Sequence, residues 1–223
     1  MLVGRMVQGF LRLYAAMEAA AVAPFLVGRR MLDLGAGEGY VARELHSLAG
    51  VWICSVDVGA FRRVAVPYAT YDGSRLPFND DAFDTSLMLL TLHHCGEPEA
   101  VLDEVLRVTR RRLIVIESVY RNRLEQFWLD RLDGWLNGYR HGGAMSVPCL
   151  FSTPEEWMRL FTSRGLRVVE TRWLGPWWER LVHHPLLCVL DKLAVSSGVP
   201  VDEREGLKGR TRERACSGSG RNR

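Results

Sequence analysis

The stretch Leu32-Asp33-Leu34-Gly35-Ala36-Gly37-Glu38-Gly39 decides how this chain folds. A short apolar run, Arg30 to Leu34, leads into three alternate glycines. A helical pattern then begins, with Val41, Leu45 and Leu48 on its inward side. Glycine lets the backbone turn sharply from strand to helix and lets a ligand approach with no Cβ in the way, while helix N–H groups lie just beyond. The reading is a strand, a ligand-binding turn, and a helix over about Gly37 to Leu48.

Outward from this unit, further apolar runs lie at Val51 to Val56, Val64 to Tyr71, Phe83 to Leu90 and Leu113 to Ser118. A second helical pattern runs from Pro98 to Thr109 with Val101, Val105 and Val108 inward. Strands alternating with helices predict an α/β, Rossmann-like, doubly wound sheet, mostly parallel, with helices on both faces and right-handed crossovers. Only Val58 to Arg63 separate Asp57 from the next run, so at most one helical turn fits there. Thr153-Pro154-Glu155-Glu156 has the form of a capping box with Pro at the first helical position. Trp157, Leu160 and Phe161 supply the apolar face behind it, and Gly165 ends the helix. Leu166 to Trp173 and Leu186 to Leu190 read as two final strands, a hairpin-like antiparallel addition at one sheet edge. Residues 120–150 lack clean periodicity and read as an irregular or partly helical insertion.

Residues 1–28 read as an N-terminal helix whose apolar face, Met6, Phe10, Leu13, Tyr14 and Met17, covers the domain; Arg12 and Glu18 interrupt its apolar run. The 223 residues carry 29 Lys and Arg against 26 Asp and Glu. Seven basic and four acidic side chains fall in residues 194–223, leaving 22 of each sign in residues 1–193. The domain is therefore read as 1–193, with a disordered basic tail at 194–223, and the folded part shows no signature of a nucleic-acid partner. Cys54, Cys95, Cys149, Cys188 and Cys216 are odd in number and form no C-x-x-C pair, which fits a reducing, cytoplasmic setting. No run of about 18 apolar residues marks a membrane span, and no metal-ligand cluster is evident in the sequence.

Three carboxylates bear on the ligand. Asp57 lies 20 residues after Gly37 at the end of the second strand, where it can accept hydrogen bonds from ribose hydroxyls. Asp33 stands two residues before the first glycine, where it would repel a pyrophosphate but suit a cationic amino group and sulfonium. The spacing is also Gly-x-Gly-x-Gly and not the dinucleotide Gly-x-Gly-x-x-Gly. Asp72, after the third strand, can accept from an adenine amino group. Caps or turn formers are the lesser alternative reading of Asp57 and Asp72. The donor set points to S-adenosylmethionine.

At these residues the chain resembles the class I S-adenosylmethionine-dependent methyltransferases, in particular the small-molecule branch similar to ubiquinone and menaquinone biosynthesis methyltransferases. The matching stretches are Leu32 to Tyr40, Val56-Asp57-Val58, Asp72-Gly73-Ser74-Arg75-Leu76-Pro77-Phe78 and Asp80-Asp81-Ala82-Phe83-Asp84. Leu92-His93-His94-Cys95 and Arg112 to Glu117 complete the resemblance, which spans roughly residues 28–118. It implies a seven-stranded sheet with an antiparallel last strand and a donor held across the carboxyl ends of the first strands. It places Asp33, Gly35, Ala36, Gly37, Gly39, Asp57, Val58, Asp72 and Gly73 around that donor. The short segment after Asp57 and the 120–150 region depart from the family pattern.

His93 and His94 end the fourth strand, where such a sheet opens toward its ligands. One of them, His94 ahead of His93, is the candidate to take a proton from the acceptor or to orient it; bonding to nearby backbone is the competing reading. Asp84 reads as structural. Tyr14, Trp128, Trp135 and Tyr139 are candidates to close over a small aromatic or apolar methyl acceptor. The expected reaction is direct in-line methyl transfer without a covalent intermediate. A non-catalytic module binding S-adenosylmethionine or a nucleotide would keep the same loop. An NAD(P)-dependent reductase would need a Tyr-x-x-x-Lys pair, yet the residues four places before Lys192 and Lys208 are Cys188 and Arg204.

Overall fold

The structure, a computed structural model, describes residues 2–141, 150–175 and 184–193, without the side chains of residues 2, 3, 5 and 135–141. The expected seven-stranded sheet is present. Helix α1 (Leu2–Val22) precedes strand β1 (Arg30–Leu34), helix α2 (Tyr40–Ala49) and strand β2 (Trp52–Asp57). Then come β3 (Tyr68–Thr70), β4 (Phe83–Leu89), α3 (Pro98–Val108), β5 (Thr109–Ser118) and α4 (Arg123–His141). Helix α5 (Pro154–Ser163), β6 (Leu166–Trp173) and β7 (Pro185–Lys192) complete the order. The strands lie in the order β3-β2-β1-β4-β5-β7-β6. β1 to β5 are parallel, and β7 is antiparallel to both of its neighbours, so the last strand is inserted between β5 and β6.

Alternation along the strands builds two cores. Leu32, Leu34, Leu113 and Val115 face one side and pack with Val101 and Val105 of α3 and Trp157 and Phe161 of α5. Met31, Ile114 and Ile116 face the other and pack with Ala19 and Val22 of α1 and Ala42 and Leu45 of α2. A strand buried on both faces reads as a continuous apolar run, which is why these strands were legible. The capping box at Thr153 closes in both directions, with Glu156 N donating to Thr153 Oγ1 and Thr153 N donating to Glu156 Oε2.

Several expectations are corrected. β3 begins only at Tyr68: Pro67 has no N–H for the ladder and enters it solely as acceptor for Ser55 N. β5 begins at Thr109, four residues early, where exposed Arg110 and Arg111 disguised its start. Leu48 faces solvent, and Ala42 takes the inward place on α2. α1 forms, but Met6, Phe10, Leu13 and Met17 are exposed; its buried side is Ala15, Glu18, Ala19 and Val22. Small residues there let α1 lie close against α2, so the bulkier stripe was the wrong face to read. Residues 123–141 are one continuous helix. Residues 142–149 of the expected lid, and the basic tail at 194–223, lie outside the described residues. Asp84 is structural as expected: its Oδ2 accepts from Arg29 N and Arg30 N, at 2.9 and 3.2 Å.

Candidate functional site

Chain order reverses between β1 and β4, since β2 and β3 extend one way from β1 and the chain returns to β4 on the other side. Open sheets bind ligands at the carboxyl ends of strands at such a point. A cavity of about 620 Å³ lies there, bounded by the ends of β1, β2 and β4 and by α1 and α3.

The glycine turn forms its floor. Gly35 holds φ at +74° and its N–H donates to Val56 O at 2.8 Å; a Cβ at this position would overlap the Thr91 side chain. Gly39 has φ +81° as the N-cap of α2, and a Cβ there would meet Val66 Cγ2 at 2.9 Å. Gly35, Ala36, Gly37, Val58 and Gly73 line the cavity, whereas Gly39 supports the turn from behind. Asp57 also lines it. Its Oδ2 accepts from Gly37 N at 2.8 Å and its Oδ1 from Val58 N at 2.7 Å, which fixes the carboxylate against the turn. Each oxygen retains acceptor capacity for a hydroxyl group.

Asp72 is placed otherwise. It is exposed and outside the cavity lining, and its Oδ1 accepts from Ser74 N, Ser74 Oγ and Arg75 N at 2.7 to 3.1 Å. The hydroxyl and backbone amides hold its carboxyl down at about 2. Among the two uses open to Asp72, turn formation is the one observed.

Five carboxylates, Glu18, Asp33, Glu38, Asp57 and Glu97, line the cavity, and among the described residues no Lys or Arg does. Asp33 is buried, and its Oδ2 has no hydrogen-bond partner. Burial, reinforced by the Asp57 charge, pushes the Asp33 carboxyl up to about 7. A cationic ligand group would satisfy that oxygen, while a pyrophosphate would meet concentrated negative charge. Glu18, Glu38 and Glu97 were not singled out from sequence. Only Glu18 carried a signal, as a lone acid within an otherwise apolar helical stretch.

At the far wall, a short 3-10 turn at Leu92–His94 follows β4. His94 lines the cavity, and His93 lies buried behind it, with its ring stacked on Phe151 at 4.6 Å between centroids. His93 Nδ1 is 2.5 Å from Glu117 Oε2 on β5. Glu117 Oε1 accepts from Thr91 N at 3.0 Å and Leu92 N at 2.7 Å, so one buried carboxylate holds the whole turn. Burial works against a charged His93, yet Glu117 and Asp133 outweigh it and raise its pKa to about 9. Asp133 reaches in from α4, with Oδ1 3.9 Å from His93 Nε2 and Oδ2 3.7 Å from His94 Nε2. Asp133 was not identified from sequence, 39 residues from His94 on a helix without a clear pattern. Cys95 also lines the cavity, but burial, then the Glu117 and Asp57 charges, raise its thiol to about 11, so it offers no thiolate near neutral pH.

Tyr14 lines the cavity from α1. Trp128 does not: it is 57% exposed, because the adjacent Leu129 takes the inward position and successive helical residues point about 100° apart. Trp135 and Tyr139 lie on the α4 backbone with side chains outside the described residues.

Residues 32–116 match a family model described as a methyltransferase domain. Over 100 residues the chain is 37% identical to a demethylmenaquinone methyltransferase of Paenarthrobacter aurescens, covering 41% of this chain and 39% of that one. A second demethylmenaquinone methyltransferase, from Mycolicibacterium paratuberculosis, is 37% identical over 112 residues, 46% of each chain. The chain thus spans less than half the length of these curated relatives. A solved geranyl diphosphate methyltransferase in complex with S-adenosylmethionine superposes with TM-score 0.62 at 13% identity, covering 80% of this chain and 85% of that one, a likeness of fold.

Proposed function

We propose that this chain, a class I S-adenosylmethionine-dependent methyltransferase by its matched domain and its sheet order, methylates a small aromatic or apolar acceptor in the cavity beside β4. The observation that carries the reading is the set of five carboxylates, with no Lys or Arg among the described lining residues, around the glycine turn. Two further points support it: the unpartnered Asp33 oxygen and the fixed Asp57 carboxylate at the carboxyl end of β2.

S-adenosylmethionine supplies a methyl group already activated on a sulfonium. In this reading Asp33 faces the cationic end of the donor, and Asp57 accepts from ribose hydroxyls. Gly35, Ala36 and Gly37 let the backbone approach, and Val58 and Gly73 flank the nucleoside. Tyr14 and Leu11 of α1, with Leu90 beyond β4, provide an apolar wall for the acceptor. His94 stands where it can orient an acceptor hydroxyl or take its proton. Holding the partners together and excluding water lowers a barrier by roughly 7 to 11 kcal/mol, with no covalent nucleophile required. The relatives named for demethylmenaquinone favour a quinone-type ring as the acceptor class. The activity is assigned to residues 1–193, and the free thiols Cys54, Cys95 and Cys188 fit a reducing, cytoplasmic setting. No helix among the described residues is long and apolar enough to cross a membrane.

Thermal melts with S-adenosylmethionine and NAD side by side test the donor. A ligand at about 100 times its dissociation constant stabilises by about 2.7 kcal/mol. Stabilisation by S-adenosylmethionine alone is expected; a response to NAD alone would overturn the assignment. Transfer of labelled methyl to quinol-type acceptors then separates an enzyme from a module that only binds the donor.

A further inference from the structure

We infer that His93, His94 and Asp133 form a site for a divalent transition-metal ion of the zinc type, opening onto the acceptor end of the cavity. Candidate ligand atoms of the three side chains, one from each, all lie within 4.8 Å of one another. His93 Nε2 stands 3.9 Å from Asp133 Oδ1 and His94 Nε2 stands 3.7 Å from Asp133 Oδ2. Ligand atoms each about 2.0 to 2.1 Å from a tetrahedral ion lie roughly 3.4 Å apart, so side-chain closure of at most about 1.4 Å brings this set into range. Two imidazoles and one carboxylate suit zinc, cobalt or iron better than magnesium, which favours oxygen ligands.

Glu117 supplies the independent observation. Metal-bound histidines commonly donate their other ring N–H to a carboxylate, which fixes the tautomer and aims the remaining lone pair. His93 Nδ1 meets Glu117 Oε2 at 2.5 Å with both side chains buried, so in the neutral ring Nε2 carries the lone pair and points toward Asp133. Glu117 is held in turn by Thr91 N and Leu92 N. That arrangement is more rigid than a surface cluster of polar side chains. Three protein ligands leave a fourth position open, the mark of a catalytic zinc site. Because His94 lines the cavity, the open position faces the space given to the acceptor.

The binding claim stands on these residues alone; its use in catalysis rests on the methyltransferase reading. In that use an acceptor hydroxyl would take the open position and give up its proton to cavity water, its pKa lowered by the ion; the oxygen would then form the O–CH3 bond as the S–CH3 bond of the donor breaks, leaving neutral S-adenosylhomocysteine. His94 then acts as a ligand.

The test is Co²⁺ titration of the full chain, stripped with chelator, at about pH 8. About one Co²⁺ per chain is expected, with visible bands of nitrogen and oxygen coordination and a roughly micromolar or tighter dissociation constant. Asp133→Asn and His94→Ala should each weaken binding by about tenfold or more, and Glu117→Gln by about 10- to 100-fold, in protein whose melts show it folded. Co²⁺ binding no tighter in the native chain than in a chain carrying both His94→Ala and Asp133→Asn would overturn the site, as would a thiolate charge-transfer band placing the ion on cysteine. S-adenosylmethionine titrated into the metal-free protein separates the two ideas. Donor binding without Co²⁺ binding removes the metal site alone, and Co²⁺ binding without donor binding removes the cofactor reading alone.

Discussion

Glu117 on β5 and His93 in the turn after β4 are joined at 2.5 Å with each side chain only 2% exposed. The pair links neighbouring parallel strands at the end of the sheet where the cavity opens. It holds the backbone that presents His94 and Cys95, because the same carboxylate also takes two amides of that turn.

Removing one partner of such a pair leaves the other buried without its complement, which costs about 3 to 5 kcal/mol. Glu117→Ala is expected to destabilise the chain by about that amount in urea unfolding. Glu117→Gln, which can still accept from an amide, should cost less. A loss below about 1 kcal/mol for the alanine variant would show that the turn is held by other contacts.

Asp33 gives a pH dependence. Burial first, and the Asp57 charge second, raise its carboxyl to about 7 in the free protein, against about 3.9 in an unfolded chain. A raised carboxyl contributes stability that is complete below the unfolded value and lost as pH rises through about 7, so free protein should melt lower at pH 8 than at pH 6 on this account. A cationic donor requires the ionised form. Affinity for S-adenosylmethionine should therefore fall as pH drops below about 7, by as much as about tenfold per unit. Calorimetric titrations from about pH 5.5 to 8.5 measure this, with Asp33→Asn expected to bind weakly and without that slope. A flat profile in the native chain would mean that Asp33 does not face the cation.

Gly35 offers a conformational test. A side chain there has to adopt φ near +74° and displace Thr91. The left-handed region alone costs an L-residue about 1 to 2 kcal/mol, and overlap adds to it. Gly35→Ala should lower both the melting temperature and donor affinity. Thr91→Ser in the same chain, which removes the overlapping methyl, should recover part of the loss; no recovery would place the strain elsewhere.

Sequence revealed the parts of this molecule that rest on local pattern. β1, the glycine turn and the position of Asp57 were legible because a buried parallel strand is a continuous apolar run and a tight turn needs glycine. The capping box at Thr153 was legible because its chemistry is contained within four residues. Asp133 and Glu117 were not, since what gives them meaning is the approach of α4 and β5 to one turn, and nothing in either segment records that approach. α1 shows the same limit in another form. Its stripe of Met6, Phe10, Leu13 and Met17 has the periodicity of a core face, but close packing against α2 selects for small size, and Ala15 and Ala19 are the residues that are buried.

Asp57 and Asp72 separate a carboxylate that faces the cavity from one that shapes a turn. Asp57 ends one strand and Asp72 follows the next, so sequence placed them together. In the structure Asp57 lines the cavity, whereas Asp72 is exposed and spends Oδ1 on Ser74 and Arg75. Loss of charge-assisted bonds to a ribose is worth about 1.5 to 3 kcal/mol, so Asp57→Ala should weaken S-adenosylmethionine binding by about tenfold or more. Asp57→Asn is the control for geometry, since it keeps an acceptor for Gly37 N and should fall between the two. Asp72→Ala should leave affinity within about threefold and reduce stability slightly, as loss of an exposed turn bond does. Isothermal titration of the three variants decides the matter: equal losses at Asp57 and Asp72 would return Asp72 to the adenine, and an unchanged Asp57→Ala would remove the ribose assignment.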